Sequence, residues 1–223
     1  MITLEVGNEK AKFLVHKIAL CAASDVFEAA CKPEWLKESN IIELPVDDPD
    51  AIHALINWIY SDEIWFPEER RGCTFEDPLN NALASPFGFF ATLYILAEKY
   101  QIAQLRNDAV DAIIEYNKYT DLPISLVSYV YANTTEDSTI RHLLLDLVRC
   151  EFDRDQFLKF AEVICSEFII DLAVPSFGAS SDVLDKYAQD VASPDKRFCE
   201  RYHTHGDDEP FCAGLKEPQF PDD

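Results

Sequence analysis

The sequence predicts an α+β fold, and three observations lead to this class. Short segments near the N-terminus alternate apolar and polar residues, as strands do. From residue 49 onward, apolar residues recur mainly at helical spacing. The predicted order is strand, strand, helix, helix, strand, helix, strand, helix, helix, which interleaves the strands with helices.

The first two segments, ITLEVG and AKFLVHK, predict two strands joined by a turn at Gly7-Asn8. Residues 18–23 then predict a short buried helix. Ser24 or Asp25 can cap the helix that follows, since both residue types suit an N-cap. The segment NIIELP predicts the third strand.

The clearest helix start in the chain is the segment DDPDAIHALINWIY. Asp48 suits the N-cap, and Pro49 suits the first helical position because its missing N–H is not needed there. One face of this helix carries Ile52, Leu55, Ile56, Ile59 and Tyr60. The segment EIWFP predicts a short strand, and residues 67–87 predict a loop because they show no period.

Further helices are predicted from FFATLYILAEKY, from LRNDAVDAIIEYN and beyond Pro123. One of the later helices has an apolar face formed by Ile140, Leu143, Leu144, Leu147 and Val148. The next begins at an Asp153/Gln156 capping box, and its apolar face consists of Phe157, Phe160, Ala161, Ile164 and Phe168. These faces can bind a partner or pack internally, and packing is the commoner outcome. From Pro175 the periodicity fades, which predicts a mostly irregular or disordered tail.

Three of these segments, in this order, resemble the BTB/POZ family. They are FLVHKIALCAASDVFEAA, IIELPVDDPDAIHALINWIY and LYILAEKYQIAQLRNDAVDAI. The resemblance is greatest to fungal stand-alone BTB proteins. It implies a BTB/POZ domain at residues 1–118, with a small mixed sheet flanked by helices. The helical segments that follow predict an extension at 119–175 that packs on the domain, and the composition of residues 176–223 predicts an acidic tail.

The resemblance implies a non-catalytic protein-protein interaction module. Many family members are substrate adaptors for cullin-RING ubiquitin ligases, and others are scaffolds or transcriptional co-regulators. In adaptors a hydrophobic-x-Glu motif before the third strand contacts the cullin. Leu36 and Glu38 match that motif, and Trp35 lies beside it. A homodimer is also implied, although the chain begins directly at its first predicted strand, without the earlier element that helps family members dimerise.

Charge and composition limit the classes of partner and the cellular compartments that we expect for this chain. The net charge is −22 and there is no Lys/Arg run, so direct binding of nucleic acid is not expected. Neither a secretory signal nor an apolar stretch long enough for a membrane span is apparent. The seven cysteines are an odd number, and several fall on apolar helix faces. We therefore expect reduced thiols and a cytoplasmic or nuclear location.

One pair of residues raises the alternative of a small Cys/His hydrolase. His16 and Cys21 lie close in sequence, at a junction between a strand and a helix. A nucleophile needs a base that is oriented by a third group, and no such group occurs at a recognisable spacing. We therefore expect no enzymatic activity, with His16 as part of the fold and Cys21 as a core residue.

The tail contains a candidate metal site in the segment CERYHTHGDDEPFC. Cys199, His203, His205 and Cys212 offer thiolate and imidazole, the ligands that zinc prefers, and four of them complete a tetrahedral site. The alternative is a polar tail that holds these residues by chance, since the spacing is not one of the strong paired motifs. No cofactor is required for the predicted interaction function, and any zinc here is predicted to be structural.

Overall fold

The computed structural model describes residues 1–36, 40–67, 70, 76–174, 196–206, 209–210, 212, 215–216 and 218–219. Its sheet has the strands β1 (Ile2–Val6), β2 (Ala11–Val15) and β3 (Ile41–Leu44), in the order β2-β1-β3. β1 is antiparallel to β2 and parallel to β3. The small mixed sheet and the helices around it confirm the α+β fold.

The remaining regular elements are helices. They are α1 (Lys17–Ala23), α2 (Asp25–Ala30), α3 (Pro49–Ser61), α4 (Pro78–Ala84), α5 (Pro86–Lys99), α6 (Ala103–Asn117), α7 (Ser125–Asn133), α8 (Thr139–Glu151), α9 (Arg154–Phe160), α10 (Ser166–Ala173) and α11 (Lys196–Tyr202).

Local signals in the sequence place the first elements. Gly7 has a φ of 70°, which a side chain would strain, and it makes the turn between β1 and β2. Ser24 caps α2 by accepting a hydrogen bond from the backbone N–H of Phe27 (3.2 Å). Asp48 caps α3 by accepting one from Ala51 (2.9 Å), which confirms the predicted helix start.

Polar contacts join the three segments that resemble the BTB/POZ family. Lys17 Nζ donates a hydrogen bond to the carbonyl of Cys31 (2.7 Å), at the end of α2. Ser24 Oγ donates to the carbonyl of Tyr100 (2.6 Å). The carboxylate of Asp47 accepts from Lys99 Nζ (2.7 Å) and from the Tyr100 hydroxyl (2.8 Å). These side chains fix the relative position of α1–α2, the start of α3 and the end of α5.

Two predictions between residues 63 and 87 are wrong. The predicted loop contains α4, which Asp77 caps by accepting from Asn80 N–H (2.8 Å), with Pro78 in the first turn. Its seven residues are too few to show a periodicity. The segment EIWFP forms only an isolated parallel bridge, between Trp65 and Gln219, because its partner comes from the far end of the chain.

On α3 the predicted apolar face is only partly buried. Ile52, Leu55 and Ile56 are buried, whereas the Tyr60 side chain is 52% exposed at the end of the helix.

The helical extension differs from its prediction at one point. The Asp153/Gln156 capping box is confirmed, but α9 ends at Phe160 and α10 begins only at Ser166. Ser128 of α7 explains the break, because its hydroxyl donates to the carbonyl of Val163 (3.1 Å) and accepts from Cys165 N–H (2.9 Å). These contacts satisfy backbone groups that a continuous helix would pair internally.

The apolar face of α8 packs internally, as predicted, since all of its members are buried: Ile140, Leu143, Leu144, Leu147 and Val148. In the described part of the chain no single helix is long and apolar enough to cross a membrane. Among the described residues, one pair of helices, α4 and α5, is together long and apolar enough, although the two helices meet at an angle of 76°. In α5, the apolar side chains Phe89, Phe90 and Leu93 are buried in the core.

The described part of the tail contains a helix that the composition does not predict. The described residues beyond α11 are largely irregular, as expected, but α11 itself is a packed helix. Phe198, Cys199 and Tyr202 are each at most 2% exposed. The Tyr202 hydroxyl donates to Asp146 of α8 (2.6 Å), which ties this helix to the helical extension.

Candidate functional site

A groove lies where α2 ends and β3 begins. It has a volume of about 610 Å³ and is lined by Ala29, Ala30, Trp35, Leu36, Ile41, Ile42 and Glu43. Trp35 is 74% exposed at its rim, while Leu36 is half-buried and packs against the core. Two of the three residues predicted to bind a cullin therefore line one groove. Glu38 lies outside the described residues.

The structure directs His16 and Cys21 to different partners. His16 Nδ1 lies 2.7 Å from the hydroxyl of Tyr60, and the His16 N–H donates to the same hydroxyl (2.9 Å). Cys21 instead neighbours the thiol of Cys31. Burial, followed by this neighbour, raises the pKa of the Cys31 thiol to about 11. These contacts suit a structural role for His16, and they do not form a nucleophile–base pair.

A second exposed apolar surface lies beside His16. Leu14 of β2 is 65% exposed and Ile18 of α1 is 86% exposed. His16 lies between these two residues in sequence, and the Tyr60 ring packs edge-on against it. Large apolar side chains that are exposed to solvent on both sides of one residue in sequence are candidates for an interaction surface.

The four predicted metal ligands come together in the tail. One ligand atom from each of Cys199, His203, His205 and Cys212 lies within 4.8 Å of all the others. Cys199 Sγ is 3.0 Å from His205 Nε2, and His203 Nδ1 is 3.3 Å from Cys212 Sγ. Cys212 Sγ is 3.8 Å from His205 Nε2. Cys199 and His203 are buried, and the other two residues are half-buried.

Each imidazole of this cluster turns its second nitrogen toward a carboxylate. His203 Nε2 is 2.9 Å from Asp111 Oδ1 of α6, and both side chains are almost fully buried. His205 Nδ1 is 3.8 Å from Glu209 Oε2. Burial raises the pKa of the Asp111 carboxyl, and the contact with His203 opposes that shift. Carboxylates in these positions hold each ring in one orientation.

The sequence analysis did not predict the surface of α6 that contacts the C-terminal residues. The Asn107 side chain forms two hydrogen bonds with the backbone of Thr204, at 2.9 and 2.8 Å. Lys216 Nζ donates to Asp108 (2.8 Å), and Lys216 N–H donates to Asp111 (2.8 Å). The available signal was the spacing of Asn107, Asp108 and Asp111, which places three polar residues on one face of α6. Their partners lie about a hundred residues away and could not be paired by spacing.

Comparison with protein-family models identifies the N-terminal region. Residues 2–77 match the model of the BTB/POZ domain, and this range contains the sheet, α1–α3 and the groove. A comparison with the curated proteins finds no match. The BTB/POZ domain is a protein-interaction module, and its family is generally non-enzymatic. The match therefore identifies residues 2–77 as a BTB/POZ domain and does not extend to the rest of the chain.

Proposed function

We propose that the chain is a substrate adaptor for a cullin-RING ubiquitin ligase and that the groove beside β3 binds the cullin. The observation that carries this proposal is the pairing of Trp35 and Leu36 on one apolar groove. A large exposed aromatic residue beside such a groove is typical of the few residues that dominate the affinity of an interface.

The sequence and the groove support this proposal independently. Leu36 and Glu38 match the family's cullin-contact pattern by position, whereas the groove is a feature of the folded chain. Ligases of this kind act in the cytoplasm and the nucleus, where the chain's reduced cysteines would be stable. We extend the proposal to that location and to the fungal stand-alone group.

Binding of the purified chain to a recombinant cullin N-terminal region tests the proposal. Calorimetry should give a measurable affinity for the unmodified chain. Trp35→Ala should weaken it by at least about tenfold, because truncation of a large aromatic residue at an interface removes a dominant contact. Glu38→Ala should weaken it in the same direction.

Tyr119→Ala is the matched control, because this aromatic residue is 81% exposed and lies outside the groove. It should leave the affinity unchanged. Absence of binding by the unmodified chain, under conditions in which a known adaptor binds, contradicts the ligase function. An equal loss in Trp35→Ala and Tyr119→Ala contradicts the assignment of the groove.

We propose as the second candidate a self-associating scaffold or transcriptional co-regulator without contact to a ligase. The exposed Leu14 and Ile18 favour it, because burial of this surface in a second copy would remove apolar area from water. Light scattering should then give twice the 25.4 kDa of one chain. Ile18→Asp should restore the monomer, whereas Leu158→Asp, at an exposed aliphatic residue elsewhere, should not. A monomeric unmodified chain rejects this candidate.

A further inference from the structure

We propose that Cys199, His203, His205 and Cys212 bind one structural zinc ion, which fastens the C-terminal segment to α6. The C-terminal segment is defined as the described residues between 199 and 216. The site is separate from the cullin groove and does not depend on the proposed ligase function.

The distances between the donor atoms fit a zinc tetrahedron. Zn–S and Zn–N bonds of about 2.3 and 2.0 Å require sulfur and nitrogen ligands to be about 3.5 Å apart. Three of the S···N separations in the cluster are 3.0, 3.3 and 3.8 Å. All four donor atoms lie within 4.8 Å of one another, so little rearrangement is needed to bind the ion.

The backbone brings the four ligands together. Cys199 and His203 are one helical turn apart, and the His203 N–H donates to the carbonyl of Cys199 (3.1 Å). The chain then bends at Gly206, whose carbonyl accepts from Glu209 N–H (3.0 Å). This bend returns Cys212 to the end of α11, where its N–H donates to Cys199 Sγ (3.3 Å).

The surroundings supply the second set of contacts that zinc ligands require. Asp111 holds His203 by its Nε2, which leaves Nδ1 for the ion. His205 directs Nε2 at both sulfurs, and its Nδ1 faces Glu209. The Glu209 carboxylate is itself fixed by the N–H of Gly206 (3.0 Å).

The donor set also indicates the role of the ion. Two thiolates and two imidazoles fill a tetrahedral zinc, so no position remains for a substrate. A closed site of this kind stabilises the fold that forms it, because the unfolded chain does not present the four ligands together. The ion would join α11, which packs on α8, to α6 through the contact between His203 and Asp111.

Metal analysis of the full chain tests the proposal. The protein is produced in zinc-supplemented medium and purified with a non-thiol reductant, and its metals are measured by mass spectrometry. We expect about one zinc ion per chain. Cys199→Ser and His205→Asn should each reduce the zinc content to nearly zero.

Two matched variants control for the loss of a cysteine or a histidine. Cys150→Ser and His53→Asn remove exposed residues outside the cluster, and both should retain zinc. Asp111→Asn keeps all four ligands and the shape of the side chain, so it guards against a failure to fold. It should weaken zinc affinity by about 10–100-fold in competition with a chelator.

Three results would overturn the proposal. The first is the absence of zinc from the unmodified chain, or its replacement by another metal. The second is an equal zinc content in Cys199→Ser and Cys150→Ser. The third is a disulfide between Cys199 and Cys212 in the protein as isolated.

Discussion

The N-terminal sheet region and the C-terminal segment are held in place by different interactions. In the sheet region, apolar side chains such as Leu4 and Leu55 are fully buried, and strand pairing satisfies the backbone. The C-terminal segment instead contacts α6 through polar side chains, chiefly Asn107, Asp108 and Asp111. The same chain therefore combines a region fixed by apolar burial with one whose contacts to α6 are directional.

The stability of the two regions should therefore respond differently to substitution. Apolar burial is non-directional, so its contribution scales with the area removed from water. Buried polar contacts require each partner in place, because an unpaired polar group in the interior is unfavourable. We expect large effects from truncation in the sheet region. In the C-terminal segment, effects should depend on which partner is removed.

Leu55→Ala should have the largest effect on stability. The residue is fully buried in α3, and its truncation leaves a cavity in the core. We expect the free energy of unfolding, measured with urea, to fall by about 3 kcal/mol. Leu14→Ala, at a leucine that is 65% exposed, is the control and should change it little. Equal losses in the two variants would contradict the assignment of the core.

Asp146→Ala should have the next largest effect, through polar rather than apolar contacts. Asp146 is fully buried, and it pairs with Arg149 (2.9 Å), Arg201 (2.6 Å) and the Tyr202 hydroxyl. Removal of the Asp146 carboxylate leaves the two arginines and the tyrosine hydroxyl without the buried anion that they contact. Because both arginines are partly exposed, we expect a loss of about 2–3 kcal/mol, below that of a fully buried pair.

The control for this variant is Asp155→Ala. Asp155 pairs with Arg154 at 3.3 Å, but both side chains are more than 80% exposed. Solvent screens such a pair, so its loss should be almost undetectable. Urea unfolding of the two variants compares them directly. An equal effect at both positions would show that burial does not determine the strength of these pairs.

The pH dependence of stability should show an effect from Cys31 that is confined to alkaline pH. Burial and the neighbouring Cys21 raise the pKa of its thiol from 9.0 to about 11. A raised pKa means that the folded state binds the proton more tightly, so the stabilisation is complete below pH 9 and is lost as the pH rises toward 11. Cys31→Ala should reduce that slope by up to about 1.4 kcal/mol per pH unit. Urea unfolding at a series of pH values measures this slope, and an equal slope in Cys31→Ala and the unmodified chain would contradict the raised pKa.

Trp35→Ala should have the smallest effect on stability. Its side chain is 74% exposed, so truncation should change the free energy of unfolding by no more than about 0.5 kcal/mol. The same variant should lose affinity for the cullin, which separates binding from folding. A destabilisation comparable with that of Leu55→Ala would instead make Trp35 a structural residue.

The sheet region could be predicted because its signals are local. The Asp48-Pro49 helix start and the turn at Gly7 act within a few residues, and both are present in the structure. Alternation and helical spacing then located the neighbouring elements. The helix at Pro78–Ala84 was missed because seven residues carry too little periodicity.

The C-terminal segment could be predicted only in part. The residue types Cys199, His203, His205 and Cys212 were sufficient to suggest a cluster. The contact that orients His203 comes from Asp111, which lies 92 residues away in sequence. No pattern in a single sequence pairs residues at such a distance, and the same limit concealed the bridge between Trp65 and Gln219.

Amide hydrogen exchange of the full chain, with and without a zinc chelator, tests the contrast between the two regions most directly. Chelation should accelerate exchange in residues 199–206 and in the adjoining turns of α6, because the contacts there depend on the ion. Exchange in β1, β2 and β3 should stay the same, because apolar burial holds the sheet. A uniform change in both regions, or no change in either, would contradict the account.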